Sequence, residues 1–177
     1  MIRPSTTLRS LLPAALTLLG LAAPLPVLAA DNRACKLLTP GELEPVVGGK
    51  LSAFQGMDAG SGKGPVHAEI CSAAAPNASV MLRLAKRASG GGSATAASQG
   101  LEIARKMGAT VDLKTFGPIT CSTIIPPKSM EQYGFNTTCS VVKTGEVAAV
   151  EVQAKSQKDM VSIEKLRPLA EKMSARF

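Results

Sequence analysis

Apolar positions recur with two different periods along this chain, and the switches between the periods delimit its elements. Over residues 66–71, Val66, Ala68 and Ile70 alternate with His67, Glu69 and Cys71; over 79–86, Val80, Leu82 and Leu84 alternate with Met81, Arg83 and Ala85. A period of two marks a strand with one buried face. Pro76 and Asn77 between the two runs predict a hairpin. Strand-like runs follow at 111–116, 119–125, 135–142 and 147–154, one of them closed by Pro126-Pro127. Lys143-Thr144-Gly145-Glu146 reads as the hairpin turn between the last two.

The helical period appears three times. Thr39 is followed by Pro40 and, three residues on, by Glu42, which is a capping box with proline at the first helical position. Leu38 and Leu43 supply the accompanying hydrophobic staple, Pro45 strains the helix, and Gly48-Gly49 ends it. After a glycine-rich connection at 89–93, Ala97, Leu101, Ala104 and Met107 share one helical face ahead of Gly108. Near the C-terminus Ile163, Leu166, Leu169, Met173 and Phe177 form an amphipathic stripe, in which Pro168 must either kink the helix or mark its first turn. The order predicts an α+β fold, an antiparallel sheet of about five strands packed with three helices. No internal repeat and no second-domain linker interrupts it.

The N-terminus belongs to neither pattern. Arg3 and Arg9 precede a mostly apolar run over 11–28, no acidic residue occurs before Asp31, and Val27-Leu28-Ala29-Ala30 closes the run with small residues. This reads as a secretory signal peptide over residues 1–30, with the cut after Ala29 placing Val27 three residues before it. A retained membrane anchor is the competing reading for about 20 apolar residues. Pro13, Gly20, Pro24 and Pro26 interrupt the run and argue against it. The expectation is an exported chain, periplasmic or secreted, with residues 31–177 forming a single domain and no stable membrane span after cleavage.

Charge and cysteines narrow the picture. The net charge of +7 falls to +5 once Arg3 and Arg9 are removed with the leader. The basic residues are dispersed, with Arg83, Lys86 and Arg87 as the one close cluster. With Trp 0, Tyr 1 and Phe 4 the chain lacks the aromatic platforms on which nucleic-acid binders stack bases, so nucleic acid is not an expected partner. Cys35, Cys71, Cys121 and Cys139 all lie in the mature region, and in an oxidising compartment they read as two disulfides. Three pairings are open to four cysteines. Cys121 and Cys139 sit in neighbouring strand-like runs and Cys35 and Cys71 flank the N-terminal region, which favours Cys35 with Cys71 and Cys121 with Cys139. Without a C-x-x-C spacing, and with His67 as the one histidine, neither a zinc site nor a thioredoxin-like site is expected, and no cofactor or metal is implied.

Motifs that carry chemistry are weak. Gly60-Ser61-Gly62-Lys63-Gly64 imitates a phosphate-binding loop, but Met57 stands where the first glycine belongs and Gly64 where Ser or Thr is required. His67 and Glu69, two apart on a strand, share a face and could pair as acid and base, although polar residues on the outer face of a strand explain them as well. Ser140 with Lys143 and Ser162 with Lys165 have S-x-x-K spacing, and Lys143-Thr144-Gly145 spells K-T-G, yet no S-D-N accompanies them. Asn77-Ala78-Ser79 and Asn136-Thr137-Thr138 match the glycosylation pattern, which has no bearing behind a signal peptide of bacterial type. The expected catalytic set is therefore none.

The stretch Cys35-Lys36-Leu37-Leu38-Thr39-Pro40-Gly41-Glu42-Leu43, ending at Gly48, resembles the opening of small exported bacterial domains and lipoproteins of unknown function, which begin C-x-L-L-T, continue into a short helix and carry a second cysteine on an early strand, the place of Cys71 here. It covers the first third of the mature chain and departs from the lipoprotein members in lacking a lipobox cysteine. The resemblance implies an exported α+β domain and brings no catalytic residues. The functional expectation is a non-catalytic binding or accessory module of the bacterial envelope, its partner an envelope protein or small ligand. Two alternatives stand beside it: a carrier of a small apolar or amphipathic ligand, its pocket lined by Val80, Leu82, Leu84, Leu101 and Met107, and an exported hydrolase.

Overall fold

The computed structural model describes residues 32–59, 67–86, 92–143 and 145–177, with 92–97 followed by backbone alone. The expected signal peptide, the Gly60-Ser61-Gly62-Lys63-Gly64 loop, Arg87, the start of the glycine-rich connection and Thr144 lie outside these residues.

Two antiparallel meanders make one sheet. The first is β1 (Gln55–Ala59), β2 (Ala68–Ala74) and β3 (Ala78–Lys86); the second is β4 (Thr110–Phe116), β5 (Ile119–Ile125), β6 (Phe135–Lys143) and β7 (Glu146–Ala154). They join through β3 and β7, giving the order β1-β2-β3-β7-β6-β5-β4. The six alternating runs are all strands, and β2 and β3 form the expected hairpin. The sheet nevertheless has seven strands instead of about five. The addition is β1, whose Gln-Gly-Met-Asp-Ala sequence has no apolar alternation. Backbone pairing to β2, from Gln55 opposite Ser72 to Ala59 opposite Ala68, holds it at the edge.

Alternation decides which face is core. Ala78, Val80, Leu82 and Leu84 of β3 are buried, as are Ala148, Val150, Val152 and Ala154 of β7. The register places Cys71 opposite Leu82, Leu82 opposite Val150, Val150 opposite Cys139 and Cys139 opposite Cys121. One transverse row of the core face thus carries both disulfides, Cys121–Cys139 between adjacent strands and Cys71 bonded to Cys35 above the sheet. This is the pairing that the placement of the cysteines favours.

Helices cover that face. α1 (Pro40–Val47) starts where Thr39 N–H donates to the Glu42 carboxylate at 2.9 Å, and ends at Gly48 in the left-handed region, φ 70°. Leu38 and Leu43 are both buried beside it. α3 (Ile163–Ser174) lies over β5, β6 and β7 and buries Ile163, Leu166, Leu169, Ala170 and Met173, the anticipated stripe. Pro168 sits inside α3, so the first turn begins at Ile163. Thr137, a buried polar side chain, donates its hydroxyl to the Val161 carbonyl at 2.6 Å and fastens the approach to α3 onto β6. α2 (Gly92–Lys106) joins the meanders and touches the sheet chiefly at β4. Leu101 and Ala104 are half-buried, whereas Met107 is 52 % exposed and falls outside the face expected for it. Among the described residues no helix is long and apolar enough to cross a membrane.

Candidate functional site

A polar cleft of about 230 Å³ opens at one end of the core face, lined by Arg33, His67, Glu69, Leu84, Lys86 and Glu146. Its residues come from four places in the chain. Arg33 begins a short 3-10 turn, Arg33–Lys36, capped by Asn32, whose side-chain oxygen accepts from Cys35 N–H at 3.2 Å. Asn32 also reaches the sheet, donating to the carbonyls of Met57 at 3.2 Å and Ile70 at 3.3 Å. The Cys35–Cys71 bridge clamps the same turn from its other side. Arg33 is therefore held over the ends of β2, β3 and β7.

Its partners are two carboxylates. The Arg33 guanidinium donates to both oxygens of Glu146, at 2.9 and 3.1 Å, the paired geometry that suits its planar fork. Its backbone N–H donates to Glu69 at 2.5 Å, and the other Glu69 oxygen stands 3.9 Å from the guanidinium. The hydrogen bond to Glu146 holds the Arg33 pKa above its ordinary value against the opposing cost of desolvation. Reciprocally, Arg33 lowers that of Glu146, and the positive charge of Lys86 adds to the effect. Lys86 N–H donates to the His67 carbonyl at 3.2 Å, closing the backbone beneath.

The two residues singled out as an acid and base do meet in this cleft, but they are differently engaged. Glu69 is directed at Arg33, while His67, one residue ahead of β2, is exposed. The arrangement fixes the N-terminal turn to the sheet through a neutralised cluster, with His67 and Lys86 exposed beside it. Arg33, Lys86 and Glu146 were not legible as site residues. Arg33 and Glu146 lie 113 positions apart, and nothing local in either segment signals the other.

The remaining candidates stay apart. Ser140 and Lys143, three apart on β6, point to opposite faces: the Ser140 hydroxyl donates to the Thr120 carbonyl, while Lys143 reaches the Phe177 carbonyl at 2.6 Å. Ser162 is the N-cap of α3 and Lys165 is exposed on its first turn. Asn77 lies in the β2–β3 turn, and the Asn136 side chain is engaged by Glu151 and Thr138. The proposed apolar pocket is not assembled. Val80, Leu82 and Leu84 are packed into the core of β3, whereas Leu101 belongs to α2 and Met107 to the turn after it, beside β4 on the far edge of the sheet. Among the described residues no group of three or more His, Cys, Asp or Glu converges as metal ligands.

No protein-family model matches the chain, and a search of curated proteins finds no similar sequence.

Proposed function

We propose that this chain is an exported, non-catalytic binding or accessory module of the bacterial envelope. The observation that carries the reading is the Arg33 cluster: the carboxylates beside the histidine are held by a guanidinium and a backbone amide, so they brace the fold instead of facing an open reaction centre. A general base must reach the proton that it removes, and Glu69 is turned toward Arg33. Two disulfides add support, since such bonds persist in oxidising compartments outside the cytoplasm.

The test has two arms. Intact mass of the protein recovered from the exported fraction should give an N-terminus near Asp31, with cysteines that alkylate only after reduction. Retention of residues 1–30, or alkylation without reduction, would overturn the export reading. Ester, peptide and glycan panels should show no turnover. Any turnover abolished in His67→Ala, an exposed position whose substitution spares the core, would make the cleft an active site.

A further inference from the structure

A second groove, of about 310 Å³, lies at the opposite end of the sheet between the β2–β3 turn, the end of β7 and the 3-10 turn Lys128–Tyr133. From the outer face of the sheet it is lined by the exposed Ala74 and by Ser79 and Gln153, while Ala78 and Ala154 turn their side chains to the core face. On its rim stands Tyr133, the one tyrosine of the chain, 64 % exposed. The four phenylalanines behave differently, Phe135 being buried and Phe54, Phe116 and Phe177 packing against the core.

The Tyr133 backbone is clamped. The Gln153 side chain donates to its carbonyl at 2.6 Å, and the next residue, Gly134, donates its N–H to Glu131 O at 2.9 Å. The same groove is lined by Gln132, Glu131 and Ser79, whose side chains form no hydrogen bond among the described residues, and by Gln153, whose amide oxygen is left without a donor there.

From this geometry we propose that the groove is a carbohydrate subsite. A sugar ring offers an apolar C–H face and a rim of hydroxyls that both donate and accept. The exposed Tyr133 and Ala74 match the first, and the amides, carboxylate and hydroxyl match the second. A clamped backbone presents the ring without an ordering cost on binding. A proline-rich peptide would also use an exposed tyrosine, but it docks in slots between several aromatic side chains, and here a single ring is accompanied by polar groups. The proposal rests on the reading of the chain as a binding module and names its ligand class.

Tyr133 is also the reporter. With Trp 0 and Tyr 1, intrinsic tyrosine fluorescence of the mature protein arises from this residue alone. A panel of neutral and acidic oligosaccharides is screened on an array, and those retained are titrated in solution while that emission is followed. At least one oligosaccharide should shift the emission saturably. Tyr133→Phe should keep most of the affinity, measured by calorimetry. Tyr133→Ala should lower it at least tenfold with an unchanged circular dichroism spectrum, and Gln132→Ala should lower it several-fold. The proposal is overturned if no oligosaccharide binds, if Tyr133→Ala binds as well as the parent, or if a proline-rich peptide binds at Tyr133 and sugars do not. Failure in any of these ways leaves the non-catalytic reading standing. Tyr133-dependent binding followed by cleavage of the sugar would support the subsite and remove that reading.

Discussion

At Gly134 the backbone has φ 83°, and a Cβ placed there would lie 2.9 Å from Gln153 Cγ and 3.1 Å from the Ala154 carbonyl oxygen. The side chain of Gln153 can move, but the carbonyl belongs to the β7 backbone and cannot. Gly41 is the opposite case: it lies inside α1, with open space where its Cβ would be. The same substitution should therefore have opposite signs. Gly134→Ala is expected to lose about 1–3 kcal/mol through left-handed strain and the close contact. Gly41→Ala should gain about 0.4–1 kcal/mol by restricting the unfolded chain. Urea denaturation of the two variants beside the parent measures both. Neither sign is legible from the residue itself, because the difference depends on a strand some 20 positions from Gly134 and on empty space around Gly41.

Among elements, α1 and the end of α3 are tied by an ionic contact beside the buried Leu43 and Met173. Glu42 accepts from both terminal nitrogens of Arg176 at 2.8 Å and from Thr39 N–H, and Lys172 stands 3.6 Å away. These donors, Arg176 first and the Thr39 amide second, lower the Glu42 pKa to about 2. Because the folded value is depressed below the ordinary one of 4.5, the contribution is complete above about pH 5 and is lost as pH falls toward 2. With the Glu42 side chain 17 % exposed, solvent screening reduces it to about 1–2 kcal/mol. Glu42→Gln should lower stability by that amount at pH 7 and by much less near pH 2, read from thermal melts at both. The capping role of Glu42 was legible from the Thr39-Pro40-Gly41-Glu42 spacing. Its partner Arg176 was not, since an ion pair across 134 positions leaves no local pattern.

For the whole molecule, the central pairing of β3 with β7 joins segments that are far apart in the chain, and the two disulfides close loops of unequal length around it. Their sequence separations of 36 and 18 correspond to about 3–4 kcal/mol each in the chain-entropy account. Cys35→Ser/Cys71→Ser should cost at least as much as Cys121→Ser/Cys139→Ser, because the longer loop is released and the 3-10 turn that carries Arg33 loses its clamp. Chemical denaturation of the two double variants checks the order; equal stability of parent and variants would show that the bridges add little. Of the strand patterns, β2 was read with its faces exchanged: Cys71 and Ala73 turn to the core, with Glu69 on their side, and Ile70 lies opposite Arg83 on the outer face. The alternation in β3 and β5 to β7, the capping box of α1 and the stripe of α3 were readable from the sequence. Each depends on contacts within a few residues or on a repeating burial pattern. The sequence thereby determined the α+β class, the antiparallel sheet and most of its elements. What only the tertiary structure decided was the meeting of the meanders at β3 and β7, the edge strand β1, and the two clefts. Pairing partners and cleft walls are set by the relative placement of distant segments, and the backbone hydrogen bonds that hold β1 are available to almost any residue, so they leave no periodic mark in the chain.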